Sequence, residues 1–66
     1  METEAKRALD FAKQHDWGRL ARVRMNRHGF PYIVNLIDAS TKDGLYHEEL
    51  VSVPATVKAV REFGNY

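Results

Sequence analysis

The chain contains no cysteine. That excludes disulfides and thiolate metal sites, and it fits an intracellular, cytoplasmic protein. It contains only two prolines and four glycines, scattered singly, so no glycine-rich phosphate cradle and no extended linker is present. No long apolar run exists either. The longest mostly apolar stretch, from Phe30 to Ile37, is far too short to span a membrane. The acidic start, Met1-Glu2-Thr3-Glu4, lacks an apolar segment, so no signal peptide is expected and no membrane partner. A large excess of charge is missing as well. Ten Lys+Arg face nine Asp+Glu, a net charge of +1, too little for a generic nucleic-acid coat protein.

What is present is enough for one domain spanning residues 1–66. Hydrophobic residues at 44% and charged residues at 29% argue against disorder. A domain of this size buries only roughly 60% of the surface of its unfolded chain, so its stability is marginal.

The most patterned stretch runs from Arg19 to Asp38 and predicts two strands joined at Arg27-His28-Gly29-Phe30-Pro31. In the first, Ala21, Val23 and Met25 alternate with Arg22, Arg24 and Asn26. The second, Tyr32 to Ile37, is apolar on both sides. Charge is locally polarised here. Arg19, Arg22, Arg24 and Arg27 fall in an acid-free stretch, whereas Asp38, Asp43, Glu48 and Glu49 follow with only Lys42 among them.

Thr3 to His15 predicts a helix with Thr3 as N-cap. Ala5, Ala8, Leu9 and Ala12 form its narrow apolar stripe, and Gly18 is a left-handed stop after it. Trp17 is read as an anchor between helix and sheet edge, with an exposed contact residue as the alternative. Ala39 to Gly44 predicts a polar loop with Asp43-Gly44 as its turn. Leu45 to Val51 predicts a third strand of ambiguous phase, which a bulge near Glu48-Glu49 would resolve. Ser52 is a candidate N-cap for a final helix with Pro54 in its first turn and an apolar stripe of Val57, Val60 and Phe63.

The expected architecture is therefore α+β, in the order α-β-β-β-α. A three-stranded antiparallel meander carries both helices on one face. The other face stays open, with Arg22, Arg24 and Asn35 beside Ile33 and Ile37.

No constellation for catalysis stands out. His15, His28 and His47 lack ligand partners at metal-site spacing. Glu48 and Glu49 are adjacent and point to opposite sides of a strand, so they do not converge on one bond. We expect no enzyme, metal or cofactor. The expected partner-binding residues are Arg22, Arg24 and Arg27, whose planar forks match carboxylates and phosphates. Tyr32, Asn35 and Tyr46 flank them. A protein partner is the first reading and nucleic acid the alternative. Arginines that merely solubilise an exposed strand are the plain one. Both a monomer and a homodimer fit.

Two resemblances bear on these residues. The element order, with Asn26-Arg27-His28-Gly29-Phe30-Pro31 as its loop, resembles the double-stranded-RNA-binding domain. That resemblance implies groove contact through the loop and a lysine cluster opening the last helix. Pro54-Ala55-Thr56-Val57-Lys58 supplies a single lysine there. In whole-chain character, including the Ala12 to Ala21 segment around Asp16-Trp17-Gly18, the chain resembles the small phage-encoded inhibitor proteins of the anti-CRISPR type. That resemblance implies steric occlusion of a host nucleic-acid-targeting complex, without any catalytic residue.

Overall fold

The computed structural model describes residues 3–66; Met1 and Glu2, the start of the acidic terminus, lie outside the described residues. The elements are α1 (Glu4–Lys13), a 3-10 turn (Asp16–Gly18), β1 (Arg22–Met25), β2 (Pro31–Lys42), β3 (Leu45–Pro54) and α2 (Val57–Phe63). The strands form one antiparallel sheet in the order β1-β2-β3. The architecture is the expected α+β meander with two helices.

The α1 helix starts where the Thr3 hydroxyl accepts from the Lys6 N–H at 3.1 Å. Its alanines then let it lie close to the sheet. Ala8 and Ala12 are fully buried together with Ala21, Ile33, Leu36 and Val60, in one core that draws on both helices and the sheet. Full burial of Ile33, Leu36 or Val60 contributes roughly 1.5–3 kcal/mol each. Gly18 serves this close packing and is not a left-handed stop. A Cβ there would stand 1.9 Å from the Ala12 carbonyl oxygen. The helix ends instead at Gln14, in right-handed geometry.

Trp17 is half-buried, packed against the core between the helices and the sheet, and belongs to an aromatic cluster at the helix ends. It stacks on His15 at 4.7 Å between ring centroids and meets Phe63 edge-on at 5.2 Å. The end of α2 builds the rest of that cluster. Asn65 takes a left-handed φ of 63°, the Tyr66 N–H reaches the Arg61 carbonyl, and the Asn65 N–H reaches that of Glu62. This is the Schellman pattern, with asparagine in the place glycine usually holds. It sets the Tyr66 ring against Phe11 and His15.

The strands run further than the polar composition of residues 39–44 suggests. Ser40, Thr41 and Lys42 pair with His47, Tyr46 and Leu45, so the expected loop shrinks to Asp43-Gly44. Both of these residues have positive φ, 55° and 77°, as a type I′ hairpin turn requires. At the other end, Val51 and Val53 pack against the core, and β3 continues through Ser52 to Pro54. Ser52 is therefore a strand residue, not an N-cap. Thr56 caps α2, accepting from the Ala59 N–H at 3.1 Å.

The bulge lies in β2, not near Glu48-Glu49. Ile33 pairs with Val53 and Leu36 with Val51, which leaves Val34 and Asn35 opposite Ser52 alone. Asn35 carries the strain with φ 65°. The shift turns both Ile33 and Leu36 into the core, so Ile33 is not on the open face. Met25, expected under the helices, is 60% exposed at the end of β1.

Beyond Ile37 the β2–β3 hairpin leaves the core altogether. Every residue from Asp38 to Leu50 is exposed. The ribbon projects about 15 Å, at about 3.3 Å per residue, and helps stretch the molecule to 45 × 25 × 17 Å.

Two outcomes follow for stability. Gly18→Ala must move the backbone of α1 and lowers stability by about 3 kcal/mol, read as a lower urea midpoint. Removing the pairs Thr41–Tyr46 and Lys42–Leu45 while keeping Asp43-Gly44 changes the midpoint little, because no core contact is lost.

Candidate functional site

The sheet sorts its side chains by pairing. Directly opposed residues of an antiparallel pair share a face. Val23 pairs with Ile33 and faces the helices, so the pairs Arg22–Val34 and Arg24–Tyr32 face outward. On β3, Val51 and Val53 point inward, which places Tyr46, Glu48, Leu50, Ser52 and Pro54 on the outward row. Tyr32 and Pro54 are paired, so the outward rows of all three strands meet there.

The structure therefore brings Arg22, Arg24 and Tyr32 together on the part of the sheet backed by the core. Arg27 is exposed on the adjoining turn. Tyr46 shares their face but stands far out on the ribbon, about 26 Å from Pro54 at about 3.3 Å per residue. Asn35 occupies the bulge, half-buried, and its role there is to carry the left-handed backbone. Among the described residues, the guanidinium groups of Arg22, Arg24 and Arg27 make no ion pair or hydrogen bond. The arginine end of this face is therefore left without an ion-pair partner from within the chain.

The turn beside these arginines is built by Asn26. Its side-chain oxygen accepts from the N–H groups of His28 at 2.8 Å and Phe30 at 3.0 Å. Gly29 closes the turn with φ 81°. Held this way, Phe30 is 67% exposed despite its size. An open depression of about 530 Å³ lies against it, lined by Asn26, Phe30, Pro31, Tyr32, Ser52, Val53 and Pro54.

At the opposite end, the Tyr46 hydroxyl donates to a Glu48 carboxylate oxygen at 2.7 Å. This hydrogen bond holds the phenol pKa above its ordinary value, and the positive charge of Arg19 opposes the rise. Leu50, next on the same row, is 60% exposed.

Sequence reasoning found the arginines and both tyrosines but missed Phe30, Pro31 and Pro54 as walls of a depression. Tyr46, Glu48 and Leu50 fall on one side of the third strand by alternation alone, and the structure decides that this side faces outward. The signal was present in part. Val51 and Val53 alternate with Ser52 and Pro54, which fixes the phase of β3 once it is read as a strand to its end.

No group of three or more histidine, aspartate or glutamate side chains converges among the described residues. No helix among them is long and apolar enough to cross a membrane.

Tyr46 offers a direct check on the ribbon geometry. Its neutral form is favoured by the fold, so Glu48→Gln lowers the Tyr46 pKa toward that of a free phenol. The ring resonances of Tyr46 followed through alkaline pH read this shift. An unchanged titration means the pair does not form in solution.

The chain matches no family model, no curated protein and no solved structure.

Proposed function

We propose that this chain is a small non-enzymatic binding module that docks on a protein through the outward face of its sheet. The observation that carries the reading is the combination found on that face. The guanidinium groups of Arg22 and Arg24 on the sheet and of Arg27 on the adjoining turn have no internal partners, and they lie beside the exposed apolar Phe30. Arginine and aromatic residues grouped in this way are what hot spots of protein interfaces are made of.

In this reading the module acts in the cytoplasm and works by occupying a surface. That is the mode of the small phage-encoded inhibitors it resembles, and the target class is a host complex that handles nucleic acid. Steric occlusion needs only shape, a few anchors and a chain that keeps its fold. A body 45 Å long and 17 Å thick is well proportioned for covering a groove.

The rival reading is direct nucleic-acid binding by the same arginines, with Tyr32 and Phe30 as stacking surfaces. Against it stands the row itself. Glu48 lies on the same face as Arg22 and Arg24, and the whole chain carries only +1. A strand of phosphates laid along the face meets attraction at one end and repulsion at the other.

Affinity capture on the tagged protein separates the two. The expected result is a protein that wild type retains, that survives nuclease treatment, and that Arg22→Glu/Arg24→Glu releases. Loss of the captured material on nuclease treatment moves the assignment to nucleic acid. An unchanged set of proteins with the double variant removes the arginine face from consideration. Scattering mass across concentrations then reports whether the module works as a monomer or a homodimer.

A further inference from the structure

From the outward face we infer that the depression beside Phe30, with Arg22 and Arg24, is a docking site for an extended acidic segment of a partner protein. The segment carries a bulky apolar residue for the depression and acidic residues at alternate positions for the arginines. This rests on the protein-binding reading above and narrows it to a ligand class and a place.

Geometry carries the first part. The depression of about 530 Å³ falls within the roughly 300–1,000 Å³ of ligand-binding clefts. Its walls are mainly apolar: Phe30, Pro31, Tyr32, Pro54 and Val53, with Asn26 and Ser52 as the polar members. Phe30 is held in place by the Asn26 turn, so little ordering is needed when a side chain settles against it. Because it is open, it fits one side chain of a longer chain lying across the sheet.

Charge carries the second part. Tyr32, a wall of the depression, pairs directly with Arg24. Arg22 is the next outward residue on the same strand. Residues two apart on a strand share a face and lie about 6.6 Å apart. Carboxylates at alternate positions of an extended peptide repeat that spacing, so each meets one arginine. No carboxylate stands on this part of the outward row. Arg22, Arg24, Asn26, Tyr32, Val34, Ser52 and Pro54 make it up, and the next acid along β3 is Glu48 on the ribbon.

The same positions explain why a peptide fits better than a nucleic acid. A short acidic segment uses only the arginine end and stops before Glu48. A phosphate backbone extends in both directions and runs into it.

The test uses a labelled peptide with one phenylalanine and glutamates two and four positions after it, in a serine-glycine background. Binding is read by amide chemical shifts of the full-length protein and by fluorescence anisotropy. We expect shifts at Asn26, Phe30, Tyr32 and Ser52. We expect Arg24→Gln and Phe30→Ser each to weaken binding about five-fold or more. Both side chains are exposed, so the fold survives either change. His47→Ser, exposed on the ribbon, leaves the affinity unchanged.

Equal binding of a peptide with lysines in place of the glutamates overturns the inference. So does an unchanged affinity with Ala in place of the phenylalanine, or no shift at millimolar peptide. Shifts confined to Tyr46, Glu48 and Leu50 also overturn it, but they leave the protein-binding reading standing on the ribbon. Binding of a duplex or single-stranded oligonucleotide at these residues, with none of the peptide, removes both.

Discussion

One extra residue in β2 governs which side chains this sheet buries. Val34 and Asn35 stand opposite Ser52 alone, and the alternation of the strand restarts at Leu36. With strict alternation, Ile33 inward would put Asn35 and Ile37 under the helices and Leu36 in solvent. The bulge places Leu36 inward instead, fully buried beside Val60 and Ala8. Left-handed backbone at a residue with a Cβ costs roughly 1–2 kcal/mol, and asparagine tolerates it better than most. Ile37 stays buried as well, at 7% exposure, so burying Leu36 is a net gain of roughly 1.5–3 kcal/mol and favours the bulge even before Asn35 is spared burial in the core. The outward face inherits its phase from the same event. Arg22, Arg24 and Tyr32 before the bulge end up in line with Leu50, Glu48 and Tyr46 beyond it.

The core that results is small, and its economy lies in close approach. Ala8, Ala12 and Ala21 are fully buried although each offers little apolar area. Their value is that α1 can sit near the sheet, which is also why Gly18 admits no side chain. The aromatic rings of Phe11, His15, Trp17, Phe63 and Tyr66 then close the end where both helices terminate. The aromatic bulk is thus placed at the rim, while alanines share the middle with Ile33, Leu36 and Val60.

Much of this was legible in the residues. The Thr3 cap, both helical stripes, the Gly29 turn and the order of elements follow from local chemistry, and local chemistry decided them. What escaped notice depends on partners distant in the chain. Ser40-Thr41-Lys42 reads as loop because it is polar, yet it pairs with Leu45-Tyr46-His47 because a type I′ turn at Asp43-Gly44 leaves the register no freedom. Ser52 reads as a cap beside Pro54, yet Val51 and Val53 gain more by facing the core, and the cap passes to Thr56. The arginines of the candidate face were visible as a pattern. The depression beside them was not, because it joins a turn residue, Phe30, to the end of a strand more than twenty positions later, Pro54.

The outward face is not mechanically uniform, and that bears on how it would meet a partner. Arg22, Arg24 and Tyr32 rest on a sheet that two helices back, so their backbone positions are set before any encounter. Tyr46, Glu48 and Leu50 ride on a two-stranded ribbon with no packed side, and such hairpins are marginal on their own. Ordering the ribbon costs free energy on binding, whereas the core-backed end is already organised. Charge follows the same division, positive on the fixed end and negative on the ribbon. In the docking proposed above, a partner would be registered first by the arginines and the Phe30 depression, where long-range attraction and a fixed surface coincide. The ribbon adds contact only where the partner's shape allows it. Two ends of one face thus have different parts, and the difference comes from how far the helices reach along β2.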